Sequence, residues 1–136
     1  MRKRQVLFLC TGNSCRSQIA EAIVNARRGD QWHAYSAGTH PAGYVHPKTV
    51  AVLAEIGIQH QGHPKSIEEY RGHTFDLVVT VCDSAAEECP VWLGTGRLVH
   101  VDFPDPAKAN GSDEEVTALF RQVRDDIAKK IDDLLK

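Results

Sequence analysis

The sequence predicts an α/β fold: a single-domain, three-layer sandwich on a central four-stranded parallel sheet. Short apolar runs of strand length alternate with stretches of helical periodicity, the order that builds a parallel sheet covered on both faces. The strongest of these runs are nearly continuous in apolar β-formers, as strands buried on both sides must be. Within the 136 residues no linker, repeat or low-complexity tract interrupts this alternation, so residues 1–136 read as one domain. A chain of that length buries a core without disulfide staples.

Residues 5–9 form the first strand, and residues 18–28 a helix with Ile19, Ala20, Ile23 and Val24 on one side. Residues 32–37 are a short strand closed by Gly38. Residues 49–56 are helical, with Val50, Leu53, Ala54 and Ile56 apolar and Gly57 a stop signal. Residues 75–81 are the second strong strand and residues 98–101 a third such run. From Asp113 onward, Val116, Leu119, Phe120, Val123, Ile127, Ile131 and Leu134 recur every three or four residues, one face of a long C-terminal helix.

Sixteen Lys and Arg stand against 18 Asp and Glu, a net charge of −2, so nothing in the balance points to a nucleic-acid or membrane surface. No apolar run reaches spanning length. The basic start Met1-Arg-Lys-Arg is followed by too short an apolar run for a signal peptide. The expectation is a cytoplasmic monomer whose four cysteines are reduced and chemically active rather than a structural framework.

The densest chemical signal is Cys10-Thr-Gly-Asn-Ser-Cys-Arg16-Ser17, at the junction of the first strand and the first helix. A short loop there turns backbone N–H groups inward, and the helix N-terminus adds partial positive charge. Thr11, Gly12, Asn13, Ser14, Cys15 and Arg16 would form the walls of an oxyanion cradle with Cys10 in its floor. Arg16 can grip two oxygens of a tetrahedral anion at once. The same field favours Cys10 as the thiolate, the reactive form. Gly12 and Asn13 suit unusual backbone angles. A Cys-x5-Arg spacing alone arises by chance; the strand before it and the helix after it make it a site.

In open parallel sheets ligands bind outside the carboxyl ends of the strands. Cys82, after residues 75–81, and Asp105, after residues 98–101, would share that rim with the cradle. Asp105 stands between Pro104 and Pro106, a turn by composition, yet well held for a general acid. Cys82 and Cys89 frame a segment in which Ser84 and Glu87 have capping-box spacing, so a short helix is expected when both thiols are reduced. Seven helical residues rise about 10.5 Å, whereas a disulfide needs Cα atoms within about 7 Å. The two cysteines are either unconnected, or their bonding unwinds this helix. Cys15 reads as loop packing, with oxidation as the alternative. His60 and His63 frame a turn and read as solvated; His40 and His46 lie in a Gly/Pro-rich loop and carry no assignment.

These residues together resemble the low-molecular-weight tyrosine phosphatase fold and, within it, the thioredoxin-coupled arsenate reductases. The resemblance rests on Cys10 through Glu21, Tyr35-Ser-Ala-Gly38, Asp76 through Cys82, Cys89-Pro90, Asp105-Pro106 and Arg121 through Ile127. It implies a three-cysteine relay. Cys10 attacks arsenate in the cradle, Arg16 and Ser17 stabilise the anion and the thiolate, and Asp105 assists loss of an oxygen. Cys82 then attacks Cys10 and releases arsenite. Cys89 attacks Cys82, and thioredoxin or a related reductant reduces the Cys82–Cys89 disulfide. No cofactor or metal is implied, and phosphate or sulfate would compete as near-isosteric oxyanions.

The alternative is a tyrosine phosphatase acting on aryl phosphates with Cys10, Arg16 and Asp105. Against it, Asp105-Pro is followed by Ala107-Lys-Ala-Asn where the resembling phosphatases place an aromatic, and hydrolysis has no use for Cys82 and Cys89. Weak phosphatase side activity is expected. A metal or redox sensor built on the four cysteines lacks paired close spacings. Some relatives hold potassium through positions matching Asn13, Glu21, Ser36 and an acidic residue. Here the last is Lys65, which implies an ammonium in place of the cation and activity insensitive to potassium.

Overall fold

The computed structural model describes residues 2–84 and 86–135. Strand β1 (Arg4–Cys10) leads into helix α1 (Arg16–Arg27), followed by β2 (Trp32–Gly38), α2 (Pro47–Ala54), β3 (Leu77–Thr80), β4 (Arg97–His100) and α3 (Asp113–Leu134). The four strands form one sheet in the order β2-β1-β3-β4, and every pairing is parallel. All carboxyl ends therefore lie along one edge, where Val81 N–H donates to Leu9 O. This is the predicted α/β sheet, with strand limits within a few residues of those read from the sequence.

Alternation along β1 sorts its side chains between two layers. Val6, Phe8 and Cys10 face a helical layer, packing with Ile19 and Ile23 of α1 and Val123, Ile127 and Ile131 of α3. Leu7 and Leu9 face an aromatic layer of Phe75 and Trp92, with Tyr35 and Tyr70 packed at its margin. That layer is carried by loop and a 3-10 turn at Ile67–Tyr70 rather than by a helix.

Local chemistry sets the element limits. In α3, Ser112 Oγ accepts from Glu115 N–H while the Glu115 carboxylate accepts from Ser112 N–H, a complete capping box. Helix α2 starts two residues earlier than its apolar pattern suggests. Pro47 supplies a preset φ and has no N–H to leave unpaired, and His46 Nδ1 accepts from Lys48 N–H. Strand β4 differs from expectation: it is an edge strand whose Leu98 is 54% exposed, so its apolar run is not buried on both faces.

The 82–89 segment carries a Cys82–Cys89 disulfide with the Cα atoms 5.8 Å apart, and none of its described residues is helical. The capping box expected for the reduced segment is not formed in this disulfide-bonded one. Ser84 donates from its N–H and hydroxyl to Asp102 Oδ1, and Glu87 turns into the molecule. Helix and disulfide are geometric alternatives, and this structure holds the disulfide.

Candidate active site

Cys10 ends β1 and Arg16 begins α1, so residues 11–15 form the loop over the helix N-terminus. Its carbonyls point outward: Thr11 O accepts from His40 N–H, Gly12 O from Ala42 N–H, and Ser14 O from His46 N–H. Because each peptide is planar, the N–H following an outward carbonyl points inward. Asn13 N–H accordingly donates to Cys10 Sγ over 3.2 Å. Asn13 carries this turn at φ 50°, a left-handed angle that Asn tolerates. At the end of β2, a Cβ on Gly38 would stand 2.4 Å from Thr11 O, so only glycine lets that strand close against the cradle.

A buried hydrogen-bond network fixes the floor. Asn13 Oδ1 accepts from Lys65 N–H and Gln18 Nε2, so its amide donates to Ser17 Oγ at 2.7 Å. Ser17 Oγ lies 2.8 Å from Cys10 Sγ and is the donor of that bond when the sulfur is a thiolate. Two donors thus converge on one sulfur, the arrangement that suits a sulfur anion. Gln18 Oε1 pairs with half-buried His60, so His60 belongs to the support of the cradle and is not solvated as expected. His63 is exposed, though its carbonyl accepts from Gln18.

Arg16 is only 2% exposed. Nη1 donates to Phe103 O and Glu87 Oε1, Nη2 donates to Glu87 Oε2 at 3.2 Å, and Asp105 Oδ2 lies 3.5 Å from Nη2. Nε is buried without a protein partner. An unpaired buried guanidinium donor points to a ligand. Asp105 Oδ1 accepts from Ala107 N–H and caps the turn Pro106–Lys108, which fixes the carboxyl at the mouth. Together these groups open on a cavity of about 290 Å³ lined by Cys10, Gly12, Ser14, Arg16 and Asp105. Tyr44 and His46 also line it.

All the residues predicted for the cradle come together here. Cys15 does so differently from the rest. It is buried against Val52 and Phe120, and burial, with Asp105 and Cys10 adding to it, pushes its thiol up to about 12. That is a packed neutral thiol. Sequence reasoning missed two participants. Glu87 looked like a cap because the spacing to Ser84 fits one; its pairing with Arg16, 71 positions away, leaves no local signal. Tyr44, which no motif in the sequence marks, lines the cavity with an aromatic ring.

Lys65 Nζ lies 4.0 Å from Glu21 Oε1, which also accepts from Ser36 Oγ. Burial pushes the Glu21 carboxyl upward, with Lys65 and Ser36 opposing it. Among the described residues, no helix is long and apolar enough to cross a membrane.

Residues 5–136 match the family described as low molecular weight phosphotyrosine protein phosphatase. An arsenate reductase of Halalkalibacterium halodurans is 47% identical over 132 residues, covering 96% of this chain and 94% of the relative. The structure of a thioredoxin-dependent arsenate reductase from Corynebacterium glutamicum superposes with TM-score 0.61 at 27% identity, covering 96% of this chain and 62% of that one. A low molecular weight protein tyrosine phosphatase from T. tengcongensis superposes with TM-score 0.76 at 26% identity, covering 98% of each chain.

Proposed function

We propose, from the premise that this chain belongs to the low molecular weight phosphotyrosine protein phosphatase family, that it is an arsenate reductase regenerated by thioredoxin or a related dithiol protein. The observation that carries the reading is the Cys82–Cys89 disulfide at the end of β3, on the rim that also holds the Cys10 cradle. A phosphatase needs the cradle and Asp105 but neither of these two cysteines.

Arsenate binds in the cradle on inward N–H groups and Arg16. The Cys10 thiolate attacks arsenic, and Asp105 donates the proton with which an arsenic oxygen leaves as water. The Cys82 thiolate then attacks Cys10 Sγ. The electron pair of the S–As bond stays on arsenic, which departs as arsenite, and a Cys10–Cys82 disulfide remains. Cys89 attacks Cys82 Sγ, restores the Cys10 thiolate, and leaves the Cys82–Cys89 disulfide for the reductant. Ser17 holds the Cys10 sulfur through each step. Cys10 and Cys15 are free thiols, which suits a reducing compartment such as the cytoplasm. Every relay residue comes from one chain, so a monomer suffices.

Hydrolysis of aryl phosphates through a phosphocysteine is the second reading. Cys10, Arg16 and Asp105 supply its machinery, and Tyr44 supplies an aromatic wall. As a side activity it is compatible with the relay. The test is arsenate-dependent NADPH oxidation with thioredoxin and thioredoxin reductase, comparing wild type with Cys89→Ser, with aryl phosphate hydrolysis measured alongside. Turnover that stops in the variant while both proteins hydrolyse slowly supports the relay. Brisk hydrolysis indifferent to Cys89, without arsenate reduction, makes the chain a phosphatase.

A further inference from the structure

His100 ends β4 directly beside Thr80 of β3, and one of its ring nitrogens lies within 4.8 Å of the sulfurs of both Cys82 and Cys89. Both nitrogens are engaged. Nδ1 is 2.6 Å from Thr80 Oγ1 and Nε2 is 2.7 Å from Asp102 Oδ1. Asp102 also accepts from Ser84 N–H and Ser84 Oγ, and these donors together with the ring hold its carboxyl down at about 2. An ionised carboxylate only accepts, so Nε2 carries the hydrogen and Nδ1 is where a proton arrives or departs. The Thr80 hydroxyl can donate to Nδ1 when it is bare and accept from it when it is protonated. The ring can therefore gain or lose its charge without turning.

The two sulfurs differ in access. Cys82 is fully buried, whereas Cys89 is half-buried and lines a surface hollow. An incoming thiolate reaches Cys89, so Cys82 is the leaving group. A thiolate expelled into a buried site has no water to stabilise it and needs a cation nearby.

Resting on the reading that a dithiol reductant receives the Cys82–Cys89 disulfide, the geometry points to His100 as the counter-ion of the Cys82 thiolate, held in place by Thr80 and Asp102. The reductant's thiolate bonds to Cys89 Sγ, the S–S bond breaks, and its electron pair leaves on Cys82 Sγ beside the imidazolium. The reductant's second thiolate then attacks its own sulfur in the mixed disulfide, releases Cys89, and carries the oxidation away as a disulfide of the reductant. Because Cys82 stands two residues past the end of β3, beside His100 at the end of β4, the same imidazolium keeps it a thiolate for its attack on Cys10 in the next turnover. Among the described residues, Thr80 Oγ1, Asp102 Oδ1 and the two sulfurs lie against the ring. The 82–89 segment also carries Asp83, Glu87 and Glu88, of which Glu87 is turned to Arg16.

The test uses pre-oxidised full-length protein as wild type, His100→Gln and His100→Lys. Its reduction is followed with thioredoxin and, separately, with dithiothreitol, from about pH 5.5 to 8.5, the range in which an imidazole titrates. The ratio of wild-type to variant rate cancels the reductant's own titration. His100→Gln is expected to be about 10-fold slower or more at neutral pH, the ratio falling towards one as the imidazolium is lost. His100→Lys should restore the rate without that inflection, and Cys10-dependent aryl phosphate hydrolysis should be unchanged in all three. Equal rates and profiles for His100→Gln and wild type would overturn the assignment. A parallel loss of hydrolysis would do so too, because it reports a general structural defect. Failure of thioredoxin, but not dithiothreitol, to reduce the wild type overturns the handover to thioredoxin instead, and the dithiothreitol ratio still decides the role of His100.

Discussion

Glu87 grips the terminal nitrogens of Arg16 with both carboxylate oxygens, and Thr11 Oγ1 and Asp83 N–H donate to the same carboxylate. The segment that places Glu87 there is closed by the Cys82–Cys89 disulfide. The oxidised protein therefore occupies, with its own carboxylate, part of the fork that an oxyanion requires.

The first prediction concerns that competition. Sulfate or phosphate should bind oxidised wild type about 10-fold more weakly than the reduced protein, a coupling of about 1.4 kcal/mol. Oxidised Glu87→Gln, which keeps the shape and loses the charge, should recover most of the difference. Calorimetric titration of both redox forms is the measurement. Equal affinities in the two wild-type forms would remove Glu87 from this role.

A pH dependence accompanies it. Burial pushes the Glu87 carboxyl upward, but the bonds from Arg16, Asp83 N–H and Thr11 prevail and hold it below its ordinary 4.5. A carboxyl lowered on folding stabilises the folded state fully above 4.5, and that contribution disappears as pH falls through the lowered value. The melting temperature of the oxidised protein should thus fall more steeply below about pH 4.5 in wild type than in Glu87→Gln. Parallel curves would contradict the assignment.

How far the sequence reaches is visible in these same residues. The cradle is legible because each of its requirements is local: a strand, a tight loop at Gly12 and Asn13, and an arginine at the helix start. That the sheet is parallel follows from the alternation of runs. Glu87 is not legible. Its spacing to Ser84 satisfies a helical cap, and the long-range attraction of a buried guanidinium overrides that local preference once the disulfide has drawn the segment out of helix. Leu98 fails for a related reason, since an apolar run does not reveal that its strand lies at the edge.

Cys15 offers a prediction of opposite sense to Cys10. With its thiol pushed up to about 12 by burial, it should remain protonated and resist iodoacetamide near neutral pH while the protein is folded. Cys10, open to the cavity with two donors at its sulfur, should be alkylated first, and phosphate should protect it. Peptide mapping after limited alkylation distinguishes them. Cys15→Ala should keep arsenate-dependent turnover and lose about 1 kcal/mol of stability, the order expected for a small group removed from a packed site. A loss of turnover matching that of Cys89→Ser would place Cys15 in the relay.

Lys65 carries the last prediction. Its Nζ lies 4.0 Å from the half-buried Glu21 carboxylate and also donates to His63 O, while its own N–H donates to Asn13 Oδ1 in the network that supports Ser17 beside Cys10. A fixed ammonium thus compensates the Glu21 charge from within the chain and repels a free monovalent cation from the same place. Arsenate turnover should be the same in potassium and in sodium at fixed ionic strength. In Lys65→Met the carboxylate loses its cation, so the variant should be less stable than wild type near neutral pH and its activity should become responsive to potassium. Clear stimulation of the wild type by potassium would show that the ammonium does not do the cation's work.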